Sequence, residues 1–125
     1  MAQRTEVYMC DTCGDMVEVV HDGPGAMVCC GRAMKLLAEN TTGAAREKPA
    51  PMMESMSDGV KVIVGTTPHP TEEKPFIEWI ELSVGDCTYR RYLRPGDPPE
   101  AFFPVNPAPS VCVREYCTLH GLWKV

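Results

Sequence analysis

The densest chemistry in this sequence lies in four cysteines near its start. Cys10-Asp11-Thr12-Cys13 is a C-x-x-C turn, which brings two sulfurs within reach of one ion and leaves backbone amides free to hydrogen-bond them. Cys29-Cys30 supplies a second pair after a 15-residue gap. Four thiolates suit a tetrahedral zinc or iron site, and spacing alone leaves the two metals even. Because the second pair is adjacent, its two sulfurs cannot both use relaxed hairpin geometry, so a distorted tetrahedron is expected. The plain alternatives are a disulfide, a set of inert thiols, or a purely structural zinc knuckle.

A second constellation sits at the other end. Cys117-Thr118-Leu119-His120 offers a thiolate and an imidazole three residues apart, and one metal could take both. His69 is held between Pro68 and Pro70, whose fixed backbone could aim a ligand. Each has a bland reading: a lone cysteine behaves as a small hydrophobe, and a lone loop histidine faces solvent. Cys87, at an expected hairpin turn, and Cys112, within an expected strand, read as structural. Met52, Met53 and Met56 could be soft ligands, but methionine more often fills irregular core gaps. His21 is expected to be exposed.

The elements that must position these groups are strands. Val17 to Val20 and Ala26 to Cys29 read as short strands around the loop His21-Asp22-Gly23-Pro24-Gly25. Glu39 to Ala45 is polar and small, as in a linker. From Met52 the pattern is β. Val60, Val62 and Val64 alternate after Asp58-Gly59, and Phe76 to Leu82 is apolar. Thr88 to Leu93 follows the turn Gly85-Asp86 as in a hairpin, and Ala101 to Val105 and Val111 to Glu115 complete the set. Short strands with Pro/Gly turns predict an all-β sandwich. The divisions are 1–37 for a small metal-binding domain, 38–45 for a linker and 46–125 for the sandwich.

Composition narrows the partners. The net charge of -5 over 125 residues speaks against nucleic acid, since phosphate binding wants a basic face. No apolar run approaches the roughly 20 residues that span a bilayer. The polar start shows no signal-peptide core, so a cytoplasmic protein without a membrane partner is expected. Seven cysteines there point to metal or redox chemistry rather than a disulfide frame. A domain of ~37 residues normally needs such a staple to fold.

Over nearly its whole length the chain resembles the desulfoferrodoxin family of superoxide reductases. Tyr8-Met9-Cys10 through Cys29-Cys30-Gly31 is similar to the desulforedoxin domain, adjacent cysteines included. The remainder matches at Glu47-Lys48, Val64-Gly65, Pro68-His69-Pro70 and Glu72-Glu73-Lys74. It matches further at Ile77-Glu78-Trp79-Ile80-Glu81-Leu82, Pro95-Gly96-Asp97, Arg114-Glu115-Tyr116-Cys117 and Leu119-His120-Gly121-Leu122-Trp123-Lys124. The resemblance implies a desulforedoxin-like Fe(Cys)4 domain followed by an immunoglobulin-like β-sandwich. It also implies a homodimer, a rubredoxin-like electron donor, and superoxide as the substrate reduced to hydrogen peroxide. In the family a second iron is held by four histidines and an axial cysteine, with one position open.

The sequence departs from that pattern at two ligands. The family places a histidine after Glu-Lys and another after Glu-Glu-Lys, where this chain has Pro49 and Pro75. Proline offers no side-chain donor atom. His69, Cys117 and His120 remain, a set closer to a catalytic zinc site than to a square-pyramidal iron. Glu47 and Lys48 are retained, and the resemblance assigns them the approach to iron and the attraction of superoxide. Three functions are therefore expected in competition. The first is a redox protein with a working Fe(Cys)4 centre and a degenerate second site. The others are a superoxide reductase with a reduced ligand set, and a zinc-held partner-binding module.

Overall fold

A computed structural model of the chain describes residues 2–39, 51–64, 77–106, 111–118 and 121–124. The described residues form strands and turns without a helix, so the chain is all-β as expected. The fold divides into two compact units, Met1–Ala38 and Glu39–Val125.

The first unit holds β1 (Val7–Met9), β2 (Met16–Glu18), β3 (Val28–Cys29), β4 (Arg32–Ala33) and β5 (Lys35–Leu36). β1 is the centre of a three-stranded sheet in the order β2-β1-β5, with Tyr8 opposite both Val17 and Leu36. β3 and β4 form a separate hairpin in which Cys29 pairs with Arg32. Its two-residue turn, Cys30-Gly31, has φ of 53° and 74°. Positive φ at both positions is the type I′ geometry that matches strand twist. Glycine accepts it freely, whereas Cys30 sits in the left-handed region at a cost of about 1–2 kcal/mol.

The second unit is a β-sandwich. One sheet has the order β10-β7-β6, from β10 (Glu100–Phe103), β7 (Gly59–Val64) and β6 (Pro51–Met56). The other has the order β12-β11-β8-β9, from β12 (Gly121–Lys124), β11 (Cys112–Cys117), β8 (Ile77–Val84) and β9 (Cys87–Tyr92). All pairings are antiparallel. The alternation read from the sequence explains the layer between them: Val60, Val62 and Val64 meet Ile80, Leu82, Phe103, Val113 and Cys117 in one core. β8 and β9 turn over Gly85-Asp86 as expected, and Gly85 supplies the single positive φ of 59°.

Three expectations need correction. The β6–β7 turn is Ser57-Asp58, because Gly59 already pairs with Met56. The methionines do not fill the core: Met52, Met53 and Met56 lie on β6, the last strand of its sheet among the described residues, and are all exposed. β2 begins at Met16 and ends at Glu18, short of the expected Val20, which is exposed.

Candidate metal centre

The four N-terminal cysteines converge. Cys10 follows β1 and opens a loop closed by bonds from the Cys10 N–H to the Asp15 carbonyl (2.8 Å) and from the Gly14 N–H to the Cys10 carbonyl (2.9 Å). That fold-back turns the Cys13 N–H onto the Cys10 sulfur at 3.4 Å. Cys29 ends β3 and Cys30 occupies its turn. The four Sγ atoms lie within 4.8 Å of one another. Cys13 and Cys29 Sγ are 3.5 Å apart, and Cys29 and Cys30 Sγ are 3.9 Å apart. A tetrahedron with metal–sulfur bonds of about 2.3 Å has edges of about 3.8 Å, so the donor set fits one zinc or iron ion.

Electrostatics also call for a cation. The N–H of Cys13, then that of Thr12, outweigh burial and hold the Cys10 thiol down at about 6. Bonding with Cys13 and Cys10 pushes the Cys29 thiol up to about 12, and Cys13 likewise raises Cys30. Charge is thus favoured on Cys10 and disfavoured on Cys29 and Cys30. An ion that displaces the thiol protons removes the repulsion among adjacent thiolates. Cys10 is buried and Cys13 and Cys30 are exposed, so one side of the cluster meets solvent.

Of the second constellation only Cys117 is described. His69, His120, Glu47, Lys48, Pro49 and Pro75 lie outside the described residues, as does the linker from residue 40. Cys117 is fully buried at the end of β11. The β11–β8 register slips there: Tyr116 faces Trp79, while Cys117 faces Ile77. This bulge keeps Glu78 out of the core layer and puts Ile77 opposite the thiol. Cys112 is half-buried at the start of β11, and Cys87 and His21 are exposed.

The sequence reading missed two features near Cys117. Glu115 points into the core side of β11, opposite Ile80 and Trp123, and is completely buried. Neither of its carboxylate oxygens has a hydrogen-bond partner among the described residues. Burial pushes this carboxyl up to about 8. On the opposite face, Arg114 clasps Glu81: its Nη2 donates to both carboxylate oxygens at 2.9 and 3.0 Å and its Nε to one at 3.1 Å. The Arg114 Nη1 donates to Glu39 at 3.0 Å, and Arg90 also binds Glu81 while lying 4.7 Å over the Trp79 ring. Charged residues in a strand pattern read as solvated, so only the cross-strand register reveals this buried pair.

A family profile for desulfoferrodoxin matches residues 41–125, and one for the desulfoferrodoxin N-terminal domain matches residues 2–37. The chain belongs to the desulfoferrodoxin family. It is 55% identical over 124 residues to the desulfoferrodoxin of Syntrophotalea carbinolica, across 99% of this chain and 98% of that one. Its fold is that of the superoxide reductase of Treponema pallidum, with a TM-score of 0.73, 21% identity and coverage of 100% and 99% of the two chains. It also resembles the superoxide reductase of Giardia intestinalis, with a TM-score of 0.51, 30% identity, and 62% and 94% covered. No helix among the described residues is long and apolar enough to cross a membrane.

Proposed function

We propose that this chain is a non-haem iron redox protein whose working centre is Cys10, Cys13, Cys29 and Cys30. The convergence of four sulfurs within 4.8 Å carries the reading. Iron bound there would supply one-electron transfer. The protein's own part is to hold the sulfurs and to set their charge. The Cys13 N–H stabilises negative charge on Cys10, and burial of Cys10 keeps water from that side. The exposed Cys13 and Cys30 leave a short path for electrons to and from a partner.

In this reading the second site is degenerate. Pro49 and Pro75 give no donor atoms, which leaves His69, Cys117 and His120. A rubredoxin-like donor, a homodimer and a cytoplasmic setting complete it. Metal analysis with visible absorption tests it: one iron per chain and sulfur-to-iron bands are expected. Two firmly bound irons, or a colourless zinc protein, would refute it.

The resemblance to proteins described as superoxide reductases favours a second reading, superoxide reduction by the smaller ligand set with Lys48 attracting the anion and Glu47 beside it. Pulse radiolysis of the reduced protein separates the two. Superoxide decay at the spontaneous rate supports the first reading, and fast decay supports the second.

A further inference from the structure

One row of aromatic rings crosses the four-stranded sheet. Tyr116 of β11 faces Trp79 of β8, and Trp79 faces Tyr92 of β9. The Tyr116 and Trp79 rings are stacked, with centroids 6.1 Å apart and 21° between their planes. The Leu93 N–H donates to the Glu78 carbonyl at 2.9 Å, which makes those two residues a bonded pair of the β8–β9 ladder. Bonded and unbonded pairs alternate, so Trp79 and Tyr92 form an unbonded pair, the kind whose side chains approach most closely. The row runs from buried to exposed. Tyr116 is 7% exposed and Trp79 5%, whereas Tyr92 is 69% exposed.

Indole and phenol are, with thiols, the side chains that give up one electron most readily. Their products have different needs. An indole can hold the positive charge it gains. A phenol that loses an electron also sheds its proton, which needs an acceptor, and at Tyr92 that acceptor is bulk water. Arg90 lies 4.7 Å over the Trp79 ring. A cation attracts the π-electrons of a neutral ring and repels a ring that has lost one. Positive charge is therefore driven off Trp79, and the exposed phenol beside it is where that charge can be neutralised. Packing alone explains a cross-strand aromatic pair. It requires neither the cation over the middle ring nor the exposed phenol at the end.

We propose that Trp79 and Tyr92 form an outward relay for oxidising equivalents, a protective function separate from the metal centres. The oxidant is a small one-electron acceptor, of the class of radicals formed from peroxide. It takes one electron from Trp79 and leaves the indole cation radical. Tyr92 returns an electron to Trp79 and releases its phenolic proton to water, which places a neutral tyrosyl radical at the surface. A soluble one-electron reductant, a thiol or ascorbate, then restores Tyr92 by giving it a hydrogen atom. The oxidant is reduced and the indole is left intact. Tyr116 is a positioning residue that holds the Trp79 ring through the stack.

The test generates azide radicals by pulse radiolysis in a solution of the full chain, its metal centre kept oxidised so that it cannot act as the reductant. The azide radical oxidises indole in preference to phenol at neutral pH. Decay of the tryptophanyl absorption should be matched by growth of the tyrosyl absorption, at a rate independent of protein concentration. Tyr92→Phe keeps the ring, removes the phenol and should abolish this matched phase, as should Trp79→Phe. Tyr116→Phe keeps the stack and should leave the phase unchanged. So should Tyr89→Phe, since Tyr89 lies opposite Leu82 on the other face of β9. After steady irradiation with ascorbate present, mass spectrometry should find more oxidised Trp79 in the Tyr92→Phe chain than in the unaltered one. A matched phase that survives Tyr92→Phe or Trp79→Phe, or that disappears in Tyr116→Phe or Tyr89→Phe, would overturn the proposal. Equal Trp79 damage in the two chains would do the same, as would a rate that rises with protein concentration.

Discussion

The two units bury apolar surface to very different extents. Among the described residues of Met1–Ala38 the buried apolar side chains are Ala2, Val7, Cys10 and Val19, and one of those carries a sulfur of the cluster. In Glu39–Val125 the described core runs through β7, β8, β10 and β11 and includes Ile80, Leu82, Phe103 and Val113. Fully burying one such side chain contributes about 1.5–3 kcal/mol, so the second unit can fold on its apolar core and the first cannot. Their stabilities therefore answer to different perturbations. Both tryptophans, Trp79 and Trp123, lie in the second unit, so their fluorescence reads the sandwich, while sulfur-to-metal absorption reads the first unit.

Removing the metal should produce the largest effect and the sharpest test of this contrast. Structural metal in small cysteine sites supplies on the order of 10 kcal/mol of folding free energy. Chelation at mildly acidic pH, or Cys10→Ala, should abolish the visible bands and the amide protection of β1, β2 and β5. The tryptophan melting curve should barely move. Simultaneous loss of both signals would break the comparison and mean that the units fold as one.

The converse perturbation is Arg114→Ala. It leaves the Glu81 carboxylate buried at 3% side-chain exposure, with Arg90 as the one described cation beside it. Truncating one partner of such a pair costs about 3–5 kcal/mol. The unfolding free energy read by tryptophan fluorescence should fall by that amount while the metal bands persist.

This asymmetry also decides what the sequence could disclose. Val60, Val62 and Val64 announce a half-buried strand because β alternation is a local property, and the C-x-x-C turn announces a metal because its chemistry is local too. Met52 and Met56 mislead because apolar character does not say whether a strand lies at a sheet edge. Glu115 and the Arg114–Glu81 pair are invisible for a deeper reason. Their burial depends on which strands lie beside β11, and that is a long-range fact. The bulge that puts Ile77, rather than Glu78, opposite Cys117 is of the same kind.

Glu115 sharpens the contrast through pH. Its folded value of about 8 lies above the ordinary 4.5. For a raised carboxyl, the stabilising effect of folding it neutral is fully present below pH 4.5 and is lost progressively as pH rises to about 8. The sandwich should therefore weaken across that window by a few kcal/mol, one pKa unit being about 1.4 kcal/mol. Glu115→Gln should flatten the dependence and raise the tryptophan-detected midpoint at pH 8. An unchanged pH profile would show that the carboxylate finds a counter-charge in the native protein.

The smallest effect compares one backbone change made in each unit. Gly31 and Gly85 both sit in two-residue hairpin turns with positive φ, 74° and 59°, and a methyl group at either would meet no atom within 4 Å. Alanine at each position therefore adds only left-handed strain, about 1–2 kcal/mol. In the sandwich this is a plain loss of folding free energy, and Gly85→Ala should lower the melting temperature by roughly 4–8 °C per kcal/mol. Gly31 follows Cys30, so the same strain falls on a turn that carries a sulfur of the cluster. Gly31→Ala should leave the tryptophan melt unchanged and instead speed metal transfer to a competing chelator, about tenfold for 1.4 kcal/mol. Equal melting shifts for both variants, with unchanged metal release, would mean that apolar packing and not the ion holds the small unit together.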